Sequence, residues 1–71
     1  MKFNVRGKPV TYEHIRRMTE RMRRAPFTAT DIAVAAKGHP EYYRVADRFI
    51  QMQRKAGVIR YGLGKWTWCG D

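Results

Sequence analysis

The sequence predicts a mainly α domain with a small antiparallel sheet, and three observations carry that reading. Apolar residues recur at helical spacing in three stretches, bounded by capping residues, glycines and prolines. The third stretch runs through Gly57 into two β-branched and aromatic runs around Gly62-Leu63-Gly64, a hairpin pattern. The length of 71 residues allows one domain at most, near the size where a single core is only marginally stable. No repeat, low-complexity tract or long Gly, Ser or Pro linker marks a boundary, so residues 1–71 are expected to form a single unit.

Each element follows from its local pattern. Lys2-Phe3-Asn4-Val5-Arg6 alternates polar and apolar residues, which predicts a short strand with Phe3 and Val5 on one face, ended by Gly7 and Pro9. Thr11 is placed to cap a first helix from about Tyr12 to Arg24, with Ile15, Met18 and Met22 on one face, and Pro26 stops it. Phe27-Thr28-Ala29-Thr30 is too short for a full strand but able to pair at an edge. Thr30 is placed to cap a second helix beginning at Asp31, rich in small residues and closed by Gly38. A third helix is expected from Pro40 to Ala56, with Tyr42, Val45, Phe49, Met52 and Ala56 on one arc. Val58-Ile59-Arg60-Tyr61 and Lys65-Trp66-Thr67-Trp68 then form the two arms of the hairpin.

Charge narrows the partner. Fifteen Lys and Arg against six Asp and Glu give +9, and ten of the fifteen are Arg, whose planar fork suits phosphates and guanine edges. Residues 1–24 carry +6 of the excess, residues 25–57 +2 and residues 58–71 +1. Cys69 is the sole cysteine, which excludes an intramolecular disulfide framework and suits a reducing, cytoplasmic setting. Met1 to Val10 has no continuous apolar run, so neither a signal peptide nor a membrane anchor is expected.

The helix order, with Ile32 to Gly38 leading into Arg44-Val45-Ala46-Asp47-Arg48-Phe49 and then Lys55-Ala56-Gly57-Val58-Ile59, resembles the winged helix-turn-helix superfamily over roughly residues 12–68. The resemblance implies three helices plus a C-terminal hairpin wing, here with an extra N-terminal strand. It also implies that the third helix lies in the DNA major groove and the wing touches an adjacent groove or the backbone. Two features depart from the family pattern. Lys37 to Glu41 is longer than the usual turn, and the apolar position four residues before Gly57 is held by Gln53.

The helical wheel turns Arg44, Asp47, Gln51 and Arg54 outward, with Arg48 and Lys55 at the border. Arg44 and Arg48 suit phosphate or guanine, Gln51 suits adenine, and Asp47 can accept from cytosine or orient the two arginines. A solvated face making ordinary surface contacts is the plainer reading of the same residues. In the wing, Arg60 and Lys65 bracket the turn as backbone contacts, while Trp66 and Trp68 are more often core than stacking platforms in so small a domain. Tyr43 and Thr28 are further phosphate candidates. The Arg17, Arg21 and Arg24 stripe of helix 1 is explained mostly by Glu13–Arg17 and Glu20–Arg24 pairing, with some nonspecific attraction left to Arg21, Arg23 and Arg24.

Catalysis finds little support: His14 and His39 lie on different elements, no spacing matches a metal site, and no Gly-rich phosphate loop precedes a helix. The expected function is therefore double-stranded DNA binding without cofactor, metal or small-molecule ligand. The expected role is that of a small transcriptional regulator or an excisionase-like accessory factor of a phage or mobile element. Specificity is expected to need a homodimer, tandem sites or a partner protein, with Phe3 and Val5 as a contact for it. The rival is a winged helix used as a protein-interaction or RNA-binding module, favoured by an exposed patch of Trp66, Trp68 and Leu63.

Overall fold

The computed structural model describes residues 3–70. Three helices, α1 (Tyr12–Arg24), α2 (Ala29–Ala35) and α3 (Tyr42–Ala56), lie between two antiparallel hairpins, β1 (Phe3–Val5) with β2 (Lys8–Val10) and β3 (Ile59–Gly62) with β4 (Lys65–Trp68). The fold is thus mainly helical with two small sheets. Among the described residues, no helix is long and apolar enough to cross a membrane.

The amino-terminal segment is a hairpin, where the sequence suggested one strand ended by Gly7 and Pro9. Phe3 pairs with Val10, Asn4 with Pro9 and Val5 with Lys8, around a two-residue turn at Arg6 (φ 52°) and Gly7 (φ 80°). In this register Asn4–Pro9 is the pair that exchanges no backbone hydrogen bonds, so the N–H that Pro9 lacks is not missed. Val5 and Val10 are buried, and the Phe3 ring stacks on Phe49 with centroids 6.4 Å apart. Phe3 and Val5 therefore pack into this chain's own core.

Thr11 caps α1: the His14 N–H donates to the Thr11 hydroxyl at 3.3 Å, and the Thr11 N–H donates back to His14 Nδ1 at 3.2 Å. A histidine thus fills the position that Glu or Gln takes in the common capping box. Met18 and Met22 are fully buried. At the other end, Arg21 donates to the carbonyls of Ala25 (3.0 Å) and Pro26 (3.3 Å), which satisfies acceptors that the helix leaves open.

Beyond Pro26, Phe27 exchanges two backbone hydrogen bonds of 2.9 Å with Trp66, tying β4 to the α1–α2 connection. Helix α2 begins two residues before the expected start, with Thr28 and not Thr30 as its cap. The reason lies in spacing: Thr28 has Asp31 three residues on, which accepts from the Thr28 N–H at 2.8 Å and from its hydroxyl at 3.2 Å. Thr30 has only Ala33 at that distance, and alanine cannot reciprocate.

The α2–α3 turn holds His39, the one buried polar residue among the described residues, at 3% exposure. Its Nδ1 accepts from the Glu41 N–H at 2.9 Å, which leaves Nε2 to donate to the Lys8 carbonyl at 3.1 Å. This bond explains why α3 starts at Tyr42 and not at Pro40: the ring of His39 takes the Glu41 N–H, and Pro40 stays in the turn. Along α3 the buried residues are Val45, Ala46, Phe49 and Ile50, while Met52 is half-buried and Ala56 exposed. The buried face is rotated from the expected arc and takes in Ala46 and Ile50, with α2 packed along α3 and Phe3 stacked on Phe49. Gly57, at φ 78°, ends α3 in the left-handed conformation.

Candidate nucleic-acid interface

The rotation of α3 settles which side chains look outward. Opposite Val45, Ala46, Phe49 and Ile50 stands a row of Arg44, Asp47, Gln51 and Lys55, with Arg48 on one flank and Arg54 and Tyr43 on the other. Lys55 thus lies within the outward row and Arg54 at its border, the reverse of the expected order. Arg44, Asp47 and Lys55 are exposed, and Gln51 is half-buried.

Local pairing tunes what each can do. The Arg44 Nε lies 3.2 Å from Glu41 Oε1, so its guanidinium is held back toward the start of the helix, with the Arg6 Nε also 4.0 Å from that carboxylate. Arg48 donates from Nη1 to the Asn4 carbonyl at 3.1 Å, tying α3 to the amino-terminal hairpin. Arg54 donates from Nε to Gln51 Oε1 at 2.9 Å, which leaves the Gln51 amide as a free donor on the surface. Asp47, which suits accepting from cytosine or orienting Arg44 and Arg48, is exposed, and here those two arginines contact Glu41 and the Asn4 carbonyl. Tyr43 is exposed, with its ring tilted against Tyr42 at 4.9 Å. Thr28 is half-buried, and its hydroxyl donates to Asp31 in the α2 cap.

In the second hairpin, Ile59 pairs with Trp68, Arg60 with Thr67, Tyr61 with Trp66 and Gly62 with Lys65. Alternation puts Ile59, Tyr61, Trp66 and Trp68 on one face and Arg60, Gly62, Lys65 and Thr67 on the other. Trp66 and Trp68 are half-buried against the core, as their number in so small a domain suggested. Arg60 and Lys65 are exposed on the outer face and make no hydrogen bond or ion pair among the described residues.

The basic stripe of α1 is mostly engaged, though by other partners than expected. Arg16 sits between Glu13, which it chelates, and Glu20, whose carboxylate is 2.8 Å from Nη1. Hydrogen bonding to Arg16 holds the Glu13 carboxyl below the ordinary range. Arg17 donates to the Lys37 carbonyl at 3.3 Å, Arg21 lies 3.4 Å from Asp31, and Arg23 rests over Trp68 at 5.5 Å from the ring centroid. The Thr28 backbone N–H lowers the Asp31 carboxyl, helped by the Thr28 hydroxyl and by Arg21. Of that stripe, Arg24 makes none of these bonds among the described residues.

Two features escaped the sequence reading. His14 and His39 meet edge to face with centroids 5.9 Å apart, and among the described residues no third His, Cys, Asp or Glu joins them in a metal-binding group. Burial pushes His14 below its ordinary value of 6.5, with further lowering from Arg17 and His39. The first hairpin turn, Arg6-Gly7-Lys8, repeats the pattern of Leu63-Gly64-Lys65, and that likeness was its available signal. Comparison with protein-family models, curated proteins and solved structures gave no match.

Proposed function

We propose that this chain is a winged helix-turn-helix module that binds double-stranded DNA, with α3 in the major groove and the β3–β4 hairpin as a wing on the phosphate backbone. The observation that carries the reading is the division of α3 into a buried apolar face and an outward row of Arg44, Asp47, Gln51 and Lys55. That row is followed directly in the chain by a hairpin whose outer face offers Arg60 and Lys65. At 15 residues α3 is about 22 Å long, and a major groove about 12 Å wide admits a helix. The free Gln51 amide and the fork of Arg44 supply directional donors for base edges, while Lys55, Arg60 and Lys65 supply charge toward phosphates.

Arg48, at the flank of the outward row, also braces the amino-terminal hairpin against α3 through its bond to the Asn4 carbonyl. A single module of this size covers a small footprint, so regulatory use relies on a dimer, tandem sites or a partner protein. The proposed role is a small transcriptional regulator or an excisionase-like accessory factor of a phage or mobile element. The protein-interaction rival is less favoured, because Trp66 and Trp68 are half-buried against the core, which leaves Tyr61 and Leu63 as the exposed large apolar residues of that hairpin.

Selection from a random-sequence duplex pool tests the reading. An enriched motif whose preference is relaxed by Gln51→Ala, at a cost of about 1–3 kcal/mol on the preferred duplex, is expected. Salt-sensitive binding without any enriched motif, or tighter binding to RNA, contradicts base reading by α3.

A further inference from the structure

Leu63 stands at the tip of the β3–β4 hairpin with 107% relative exposure and φ 54°, beside Gly64 at φ 80°. Both properties are unfavourable for a leucine. Two-residue turns with positive φ at both positions favour Asn, Asp or Gly at the first, because a Cβ crowds the backbone there. A leucine in water gains nothing from burial to offset that crowding. The other non-glycine residue at positive φ, Arg6, at least places a charge in water. Strain at a position that the fold does not require points to a use outside the fold.

The surroundings describe that use. Gly62, Leu63 and Gly64 give the tip one side chain flanked by two residues with none, and a Cβ built on either glycine meets nothing within 4 Å. The result is a narrow point carrying a single apolar group. Behind it, Tyr61 meets Trp66 edge to face at 5.1 Å, and Trp66 is fastened to Phe27 by its two backbone bonds. The tip is thus held on a braced lever, about 10 Å beyond Ile59. Arg60 and Lys65 occupy the outer face on opposite strands, close behind the tip.

We propose that Leu63 is a minor-groove wedge: the wing tip enters the groove, Leu63 presses into a base step, and Arg60 and Lys65 neutralise phosphates beside it, so that binding bends the duplex. The proposal rests on the DNA-binding reading and adds a bending activity to it. A minor groove about 6 Å wide admits a point of this kind, and apolar wedges that part base steps kink DNA by roughly 20–90°. A protein pocket is the weaker match. One leucine with a flanking tyrosine offers far less than the roughly 800 Å² per partner of a stable protein interface.

The test compares the full chain with Leu63→Asn and Leu63→Met on a duplex of about 20 base pairs carrying a central TA step, a flexible site for a kink. End-to-end energy transfer reads the bend, and 2-aminopurine beside the step reads unstacking. Wild type and Leu63→Met are expected to shorten the end-to-end distance and raise the 2-aminopurine signal. Leu63→Asn is expected to lose both signals and bind roughly 3–10-fold more weakly with an unchanged salt slope, while its Tm rises by about 5 °C as strain is relieved. Equal bending by Leu63→Asn, or binding by wild type without bend or unstacking, overturns the wedge and leaves DNA binding intact. Failure of wild type to bind any duplex at moderate salt overturns the wedge together with the reading beneath it.

Discussion

His14 shows how much one side chain carries in a chain of this size. Its Nδ1 accepts from the Thr11 N–H and lies 2.9 Å from the Thr11 hydroxyl, so it closes the amino-terminal end of α1 in its neutral form. Burial, Arg17 and His39 all press it toward that form and lower its pKa from 6.5. Between the lowered value and 6.5 the unfolded chain binds more protons than the folded one, so stability rises with pH across that window. The rise is complete about one unit above 6.5 and is lost as pH falls through the window. Denaturant midpoints measured from pH 5 to 8 are expected to show this rise in wild type. A flatter curve is expected for His14→Gln, because glutamine keeps an acceptor for the cap but does not titrate. An unchanged slope in the variant would assign the dependence to other groups.

At the scale of elements, most of the fold was legible because helices and turns are local events. Thr11, Gly57 and the Gly62-Leu63-Gly64 turn act through neighbours a few residues away, and each does what its spacing implies. The stretch at Phe27 could be read as able to pair at an edge, but its partner Trp66 lies far along the chain and no local pattern names it. The first hairpin was missed because Pro9 reads as a stop until the register shows its nitrogen facing away from Asn4. The α2 cap was misplaced because two threonines competed, and only Asp31 three residues after Thr28 separates them. The outward row of α3 is largely legible in its spacing, yet its rotation depends on packing against α2 and on the Phe3–Phe49 stack, which no local pattern records. Arg48 reaching Asn4 is such a long-range fact. Gly57 gives an element-scale prediction: an added Cβ meets nothing within 4 Å, so Gly57→Ala tests backbone strain alone. A loss of about 1 kcal/mol, or roughly 4–8 °C in Tm, is expected by thermal melting, with Gly57→Asn losing less. A neutral Gly57→Ala would remove the left-handed terminus from the account of α3.

For the whole molecule, the core is small and shared by every element. Phe49 at 1% exposure lies on α3 beside Val45, stacks on Phe3 of the first hairpin, and holds the rotation that turns Arg44, Gln51 and Lys55 outward. A domain of this length has about 4–10 kcal/mol of stability in total, and Phe→Ala in a core costs about 3–5 kcal/mol. Phe49→Ala is therefore expected to leave much of the chain unfolded at 37 °C by far-ultraviolet circular dichroism. A cooperative melt near that of wild type would contradict the central place given to this ring. The same core explains why charge and fold agree in this protein. With the apolar face of α3 buried and both tryptophans half-buried against the core, the outward row of α3 and the outer face of the β3–β4 hairpin are left to polar and basic side chains.

The most direct measurement of the central claim is a titration of duplex DNA at two salt concentrations, comparing wild type with an Arg44→Ala, Gln51→Ala, Lys55→Ala triple variant and with Lys37→Ala from the α2–α3 turn. Wild type is expected to show a log–log salt slope of about −3 to −4, and the triple variant a slope shallower by about 1–2 with at least a tenfold loss of affinity. Lys37→Ala is expected to stay within about threefold of wild type. Equal binding by wild type and the triple variant would contradict the assignment of α3 as the DNA-facing helix.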